Sequence, residues 1–91
     1  MENKYVITLE YCVPWNYWER AARAADDILR NYQHVIESFT LITGTKGAFE
    51  LEVDGELLYS KQTLGRHAEP GEVLELFKKI VGPSVPVYPQ D

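Results

Sequence analysis

Tyr5-Val6-Ile7-Thr8-Leu9-Glu10-Tyr11 runs into Cys12-Val13-Pro14-Trp15-Asn16, and an Ala-rich stretch from Trp18 to Tyr32 follows. This passage decides the fold. The first seven residues are β-branched and aromatic, the composition of a strand. After the Cys12–Asn16 link the period becomes helical. Trp18, Ala21/Ala22, Ala25, Ile28/Leu29 and Tyr32 recur every three or four residues as one apolar stripe. Asn16 as cap and Pro14 in the first turn are alternative openings for this helix. Asn31 is its expected stop.

Outward from this unit, Val35 to Thr43 reads as a second strand and Gly44 to Gly47 as a loop. Ala48 to Val53 alternates, with Phe49, Leu51 and Val53 on one face and Glu50 and Glu52 on a solvated one. Asp54-Gly55 joins it to Glu56–Lys61, and Asp-Gly between two strands signals a type I′ hairpin. Gln62 to Glu69 is a polar loop. Pro70 opens a last helix with Val73, Leu76/Phe77 and Ile80 as its stripe, and Gly82-Pro83 ends it. The order is β-α-β-β-β-α. A strand–helix–strand crossover makes strands 1 and 2 parallel, and the hairpin makes 3 and 4 antiparallel. The prediction is an α/β (α+β), thioredoxin-like fold: a four-stranded mixed sheet, order 2-1-3-4, with two helices. Strand 1 is central, with Tyr5, Ile7 and Leu9 facing the helices and Val6 and Thr8 facing away. Residues 1–82 form the domain. Residues 83–91 form a Pro-rich tail, extended or disordered.

The chain has 91 residues, enough for one domain, and 45% are hydrophobic. Nine Lys/Arg against fourteen Asp/Glu leave a net charge of −5. Nucleic acid and anionic membrane need clustered positive charge, so neither is expected as a partner. Met1-Glu2-Asn3-Lys4 lacks the pattern of a secretory signal. The single cysteine, Cys12, excludes an internal disulfide and a cysteine-based zinc site, and a reducing cytoplasm is the expected home. His34 and His67 lack ligand spacing, so no metal is expected.

Cys12 falls between strand 1 and helix 1, where a helix N-terminus stabilises a thiolate. It reads as a reactive thiol or as a small buried hydrophobe. Trp18 lies on the helical stripe and is assigned to the core. Trp15 and Tyr17 lie off it. With Val13 and Pro14 they are candidate binding residues beside the thiol, the alternative being that Trp15 fills space over the strand end. Arg66 is a weaker candidate, for a carboxylate.

Glu10-Tyr11-Cys12-Val13-Pro14-x-Asn16-Tyr17 before an Ala-rich helix resembles the selenoprotein W-like (Rdx) family. So do Gly47-Ala48-Phe49-Glu50-Leu51-Glu52-Val53-Asp54-Gly55-Glu56-Leu57 with Ser60-Lys61, and Gly65-Arg66-His67-x-Glu69-Pro70-Gly71-Glu72-Val73. The resemblance spans roughly residues 4–81. It implies a thioredoxin-like fold and thiol or selenol redox chemistry, often linked to glutathione. Family members carry C-x-x-C or C-x-x-U after the first strand, whereas this chain has Trp15 at the second position. Dithiol chemistry within one chain is therefore closed. Two expectations follow. One is a monothiol redox protein with Cys12 as nucleophile, no resident cofactor, and glutathione or a protein thiol as partner. The other is a redox-inactive module that binds a protein through the strand-end groove. Cys12, taken as near the surface, allows at most a disulfide-linked dimer, and the chain is expected to be a monomer or weak homodimer.

Overall fold

β1 (Tyr5–Cys12) pairs on both sides. It runs parallel to β2 (Ile36–Gly44) and antiparallel to β3 (Phe49–Val53), and β4 (Glu56–Ser60) closes the far side, for the order β2-β1-β3-β4. The computed structural model describes residues 4–90; the readings on Met1–Asn3 and on Asp91 lie outside them. α1 (Trp18–Tyr32) makes the crossover, and α3 (Glu72–Val81) packs beside it. The expected topology and central strand are both present.

The core lies between the sheet and the two long helices. Ile7 and Leu9 of β1 and Leu51 and Val53 of β3 meet Ala21, Ala24, Ile28 and Tyr32 of α1 and Val73 and Phe77 of α3. The Phe77 ring stands edge-on to Tyr5 and to Tyr32, 5.5 Å from each. Burying each large apolar side chain contributes about 1.5–3 kcal/mol, and this layer dominates the stability. Tyr5 is half-buried on the helix side and Val6 is exposed on the other, as alternation requires.

Several expectations are corrected. Trp18 is not core: it is 48% exposed and leans on the Tyr11 ring, 5.7 Å away. As the first residue of α1 it stands level with the strand ends, where the sheet has little left to offer. The buried stripe of α1 instead runs through Ala21, Ala24, Ile28 and Tyr32. Ile80 is exposed too, because the buried face of α3 follows i+4 spacing from Val73 through Phe77 to half-buried Val81. Neither Pro14 nor Asn16 caps α1. Tyr17 holds the N-cap position without a side-chain bond, and Asn16 has φ 62°, a left-handed turn residue. Asn31 does not stop the helix; its Nδ2 donates to the Asp27 carbonyl, and a 3₁₀ turn, Gln33–Val35, takes Val35 from the expected second strand. The loop after β4 holds a third, one-turn helix, α2 (Lys61–Leu64). Ser60 Oγ caps it by accepting from the Thr63 N–H at 3.0 Å. Four residues are too few to show a period.

The tail is extended and docked. The Tyr88 N–H donates to the Asn31 carbonyl, Gln90 Nε2 donates to the Arg30 carbonyl, both at 2.7 Å, and His34 Nε2 meets the Pro86 carbonyl at 3.0 Å. The first two contacts occupy carbonyls that the end of α1 leaves unpaired. No described helix is long and apolar enough to cross a membrane.

The hairpin has the expected turn, with Asp54 at φ 52° and Gly55 at φ 84°. Asp54 also reaches across to β1: its N–H donates to the Val6 carbonyl at 2.8 Å, and its Oδ1 accepts the Val6 N–H at 2.9 Å. Asp54→Ala loses the second bond and puts Ala in a left-handed conformation, so urea unfolding should show a loss of about 1–3 kcal/mol. Asp54→Asn keeps an acceptor oxygen and tolerates the turn, and should lose well under half of that.

Candidate functional site

At the C-terminal end of β1 the chain closes into consecutive turns before α1 begins. The Cys12 N–H donates to the Ala48 carbonyl at 2.8 Å and the Val13 N–H to the Gly44 carbonyl at 3.0 Å. The Asn16 N–H then returns to the Val13 carbonyl at 2.9 Å and the Tyr17 N–H to the Cys12 carbonyl at 3.0 Å. The loop is thus tied to the β2–β3 connection and to itself. Cys12 ends the strand, as expected, but α1 starts only at Trp18, so the thiol is set back from the helix N-terminus by Val13–Tyr17.

Cys12 is fully buried, 0% exposed, which corrects the expectation of a near-surface thiol. It also stands outside the main core cluster. Trp15 is the reverse, 59% exposed, with Val13 and Pro14 exposed beside it. Its indole rests on the β2–β3 turn: a Cβ added to Gly47 would come within 2.5 Å of the six-membered ring. Gly47 itself has φ +75°, so both its backbone and its neighbour favour glycine.

From Trp15 a line of rings crosses the end of the molecule. Trp15 meets Tyr17 edge-on at 6.2 Å, and Tyr17 meets His67 edge-on at 4.6 Å. Lys61 Nζ lies 5.7 Å from the Tyr17 ring centre. Burial pushes the His67 imidazole below its usual pKa, and the charges of Arg20 and Lys61 add to this. The rings border an open groove of about 710 Å³ that also takes in Arg20, Arg23 and Phe49. Sequence reasoning missed His67, Arg20 and Arg23 here. Nothing in spacing links His67 to a tyrosine fifty positions earlier.

Arg66 is not brought to this line as a free cation. Its guanidinium forms a two-pronged ion pair with Glu72, at 2.8 and 2.7 Å, and ties the loop after α2 to the start of α3. The pair raises the arginine further above its ordinary pKa and, with the Glu69 N–H, holds the Glu72 carboxyl down at about 2. Glu50 is not simply solvated. It is half-buried, accepts the Ser60 hydroxyl, and accepts the Gln62 N–H at 3.3 Å. Among the described residues no three His, Cys, Asp or Glu side chains converge as a metal site.

The family model described as the Rdx family matches residues 6–79. The chain belongs to the Rdx family. Its thioredoxin-like, α+β architecture is that of a selenoprotein W-related protein from Vibrio cholerae, with a TM-score of 0.80 at 24% identity, covering 88% of this chain and 100% of that one. A protein from Bordetella parapertussis is similar at a TM-score of 0.79 and 22% identity, over 86% of this chain and 99% of that one. No curated protein matches the chain. The Rdx family is thioredoxin-like and redox-related.

Two outcomes follow from the packing. Gly47→Ala should destabilise by about 1–2 kcal/mol from its backbone alone, with a further loss from displacing the indole. In a Trp15→Ala background that further loss disappears, so a double-mutant cycle should show coupling of about 0.5 kcal/mol or more. The Arg66–Glu72 pair gives a pH signature. Glu72 falls from an ordinary 4.5 to about 2 on folding, so its stabilisation is complete above pH 4.5 and is lost as pH drops towards 2. The melting-temperature gap between wild type and Arg66→Gln should be constant above pH 4.5 and close below it.

Proposed function

We propose that this chain is a thioredoxin-like binding module, in which the loop that bears redox chemistry elsewhere in the resemblance presents aromatic side chains to a protein partner. The inversion of exposure between Cys12 and Trp15 carries the reading. Thiol–disulfide exchange needs an accessible thiolate, and here the thiol is covered while the indole faces water. Exposed aromatic side chains are characteristic anchors of protein interfaces. Trp15 provides one, with half-buried Tyr17 beside it, Val13 and Pro14 extending the apolar patch, and a groove whose rim carries both signs of charge, Arg20 and Arg23 with Glu19, Asp27 and Glu69. The chain holds no second cysteine to complete a dithiol cycle.

A monothiol reaction is the competing reading. The Cys12 thiolate would attack glutathione disulfide, bond to one sulfur and release the other glutathione as thiolate. Such attack requires the buried Cys12 to become accessible first.

Two measurements separate the readings. Under the binding proposal, Cys12 in the native protein reacts with iodoacetamide more than about tenfold slower than in the urea-unfolded chain. A partner captured on immobilised protein should be lost with Trp15→Ala and kept with Cys12→Ser. Rapid, stoichiometric glutathionylation of native Cys12 would overturn the proposal. So would a captured partner that dithiothreitol releases and Cys12→Ser abolishes.

A further inference from the structure

α1 and α3 cover one face of the sheet. The other face meets α2 at a corner, where the Gln62 N–H reaches Glu50, and its β1–β2 half is left to solvent. That half is an uncharged strip: Val6 lies beside Ser38, Thr8 beside Thr40, and Ile42 follows on β2. Val6, Thr40 and Ile42 are exposed there. These two strands are the sheet's parallel pair, and parallel strands are ordinarily covered on both faces. Beside the strip stand three carboxylates, Glu10 on β1 with Glu50 and Glu52 on β3. Glu10 and Glu50 are directly opposed, a position at which like charges repel. Glu50 accepts from Ser60 and Gln62. Glu10 lies over Gly44 and, among the described residues, has neither a side-chain hydrogen bond nor an ion pair. No Lys or Arg occurs in any of the four strands; Lys4, Lys46 and Lys61 lie beyond their ends.

We propose that this open face docks a basic amphipathic helix of a partner protein. The apolar side of that helix lies along β1 and β2, on Val6, Thr8, Thr40 and Ile42, and its lysines or arginines reach over Glu10, Glu50 and Glu52. Charge selects the occupant. The charged groups of these four strands are all carboxylates and the chain carries −5, so a second copy, a nucleic acid or an anionic lipid surface would only add like charge. A cation set between Glu10 and Glu50 removes the repulsion that the free protein carries. Size selects a helix. Neighbouring strands lie about 4.8 Å apart and a helix is about 10 Å across, so one helix covers the β1–β2 strip and brings its edge to β3. From Val6 to Glu10 the strip runs about 13 Å, the length of about nine helical residues. So small a contact is reversible and weakens with salt. It is a different surface from the aromatic groove, which α1 and α3 border on the other side of the sheet.

The probe is a fluorescein-labelled peptide of about twelve residues with leucine and lysine at helical spacing, and its control carries glutamate in place of lysine. Titration with the wild-type protein at low salt should raise the anisotropy of the lysine peptide to saturation, and circular dichroism should show the peptide gaining helix. The glutamate peptide should not bind. Ile42→Lys and Glu52→Lys alter exposed side chains. Each should raise the dissociation constant at least about tenfold with an unchanged melting temperature. Glu75→Lys makes the same change of charge on α3 and should move it less than about threefold. Amide NMR shifts should gather at Val6, Thr8, Thr40 and Ile42 and leave the two indole N–H signals in place. Absence of saturable binding overturns the proposal, as does a loss with Glu75→Lys equal to that with Glu52→Lys. Shifts centred on the indoles would put the peptide in the aromatic groove and overturn it too.

Discussion

Ile7 and Leu9 lie fully buried on a strand that is paired along both of its edges, and every other element takes its position from them. Their side chains are the floor on which α1 and α3 rest. Their backbones set the register of β2 on one side and β3 on the other. Asp54 adds a clamp at the opposite end of the strand, where it exchanges two hydrogen bonds with Val6. The strand is therefore fixed at one end by the hairpin and at the other by the turns that follow Cys12. A perturbation of β1 is felt in both the sheet and the site.

Most of the architecture was legible because it rests on local rules. Strand alternation, the Asp54-Gly55 turn and the crossover handedness each act over a few residues or through one connection. Together they leave a single arrangement of four strands. The errors fall where position depends on what another element provides. Trp18 satisfies the helical period, but no sheet remains for it to cover. The opening of α1 turns on the left-handed conformation of Asn16 and on turns that no capping rule anticipates. α2 depends on one serine hydroxyl that also serves Glu50.

The site was legible in its members but not in its geometry. Val13, Pro14, Trp15 and Tyr17 are consecutive or nearly so, and their grouping needs no tertiary information. The burial of Cys12 does, because it is set by folding, which also ties its N–H and that of Val13 to carbonyls at Ala48 and Gly44, more than thirty positions away. Likewise, Arg66 is committed to Glu72 and His67 joins the aromatic line only through folding. Pattern reading finds the residues that share a turn. It does not reveal which of them face water.

Both tryptophans of the chain, Trp15 and Trp18, stand at this one end, each roughly half exposed. All of the indole fluorescence therefore originates beside the loop, with none contributed by the core. The emission of the folded protein reports the polarity around that loop, uncontaminated by signal from elsewhere. Anything that settles over it and excludes water should shift the spectrum to shorter wavelength, so the molecule carries an optical probe at its candidate binding loop.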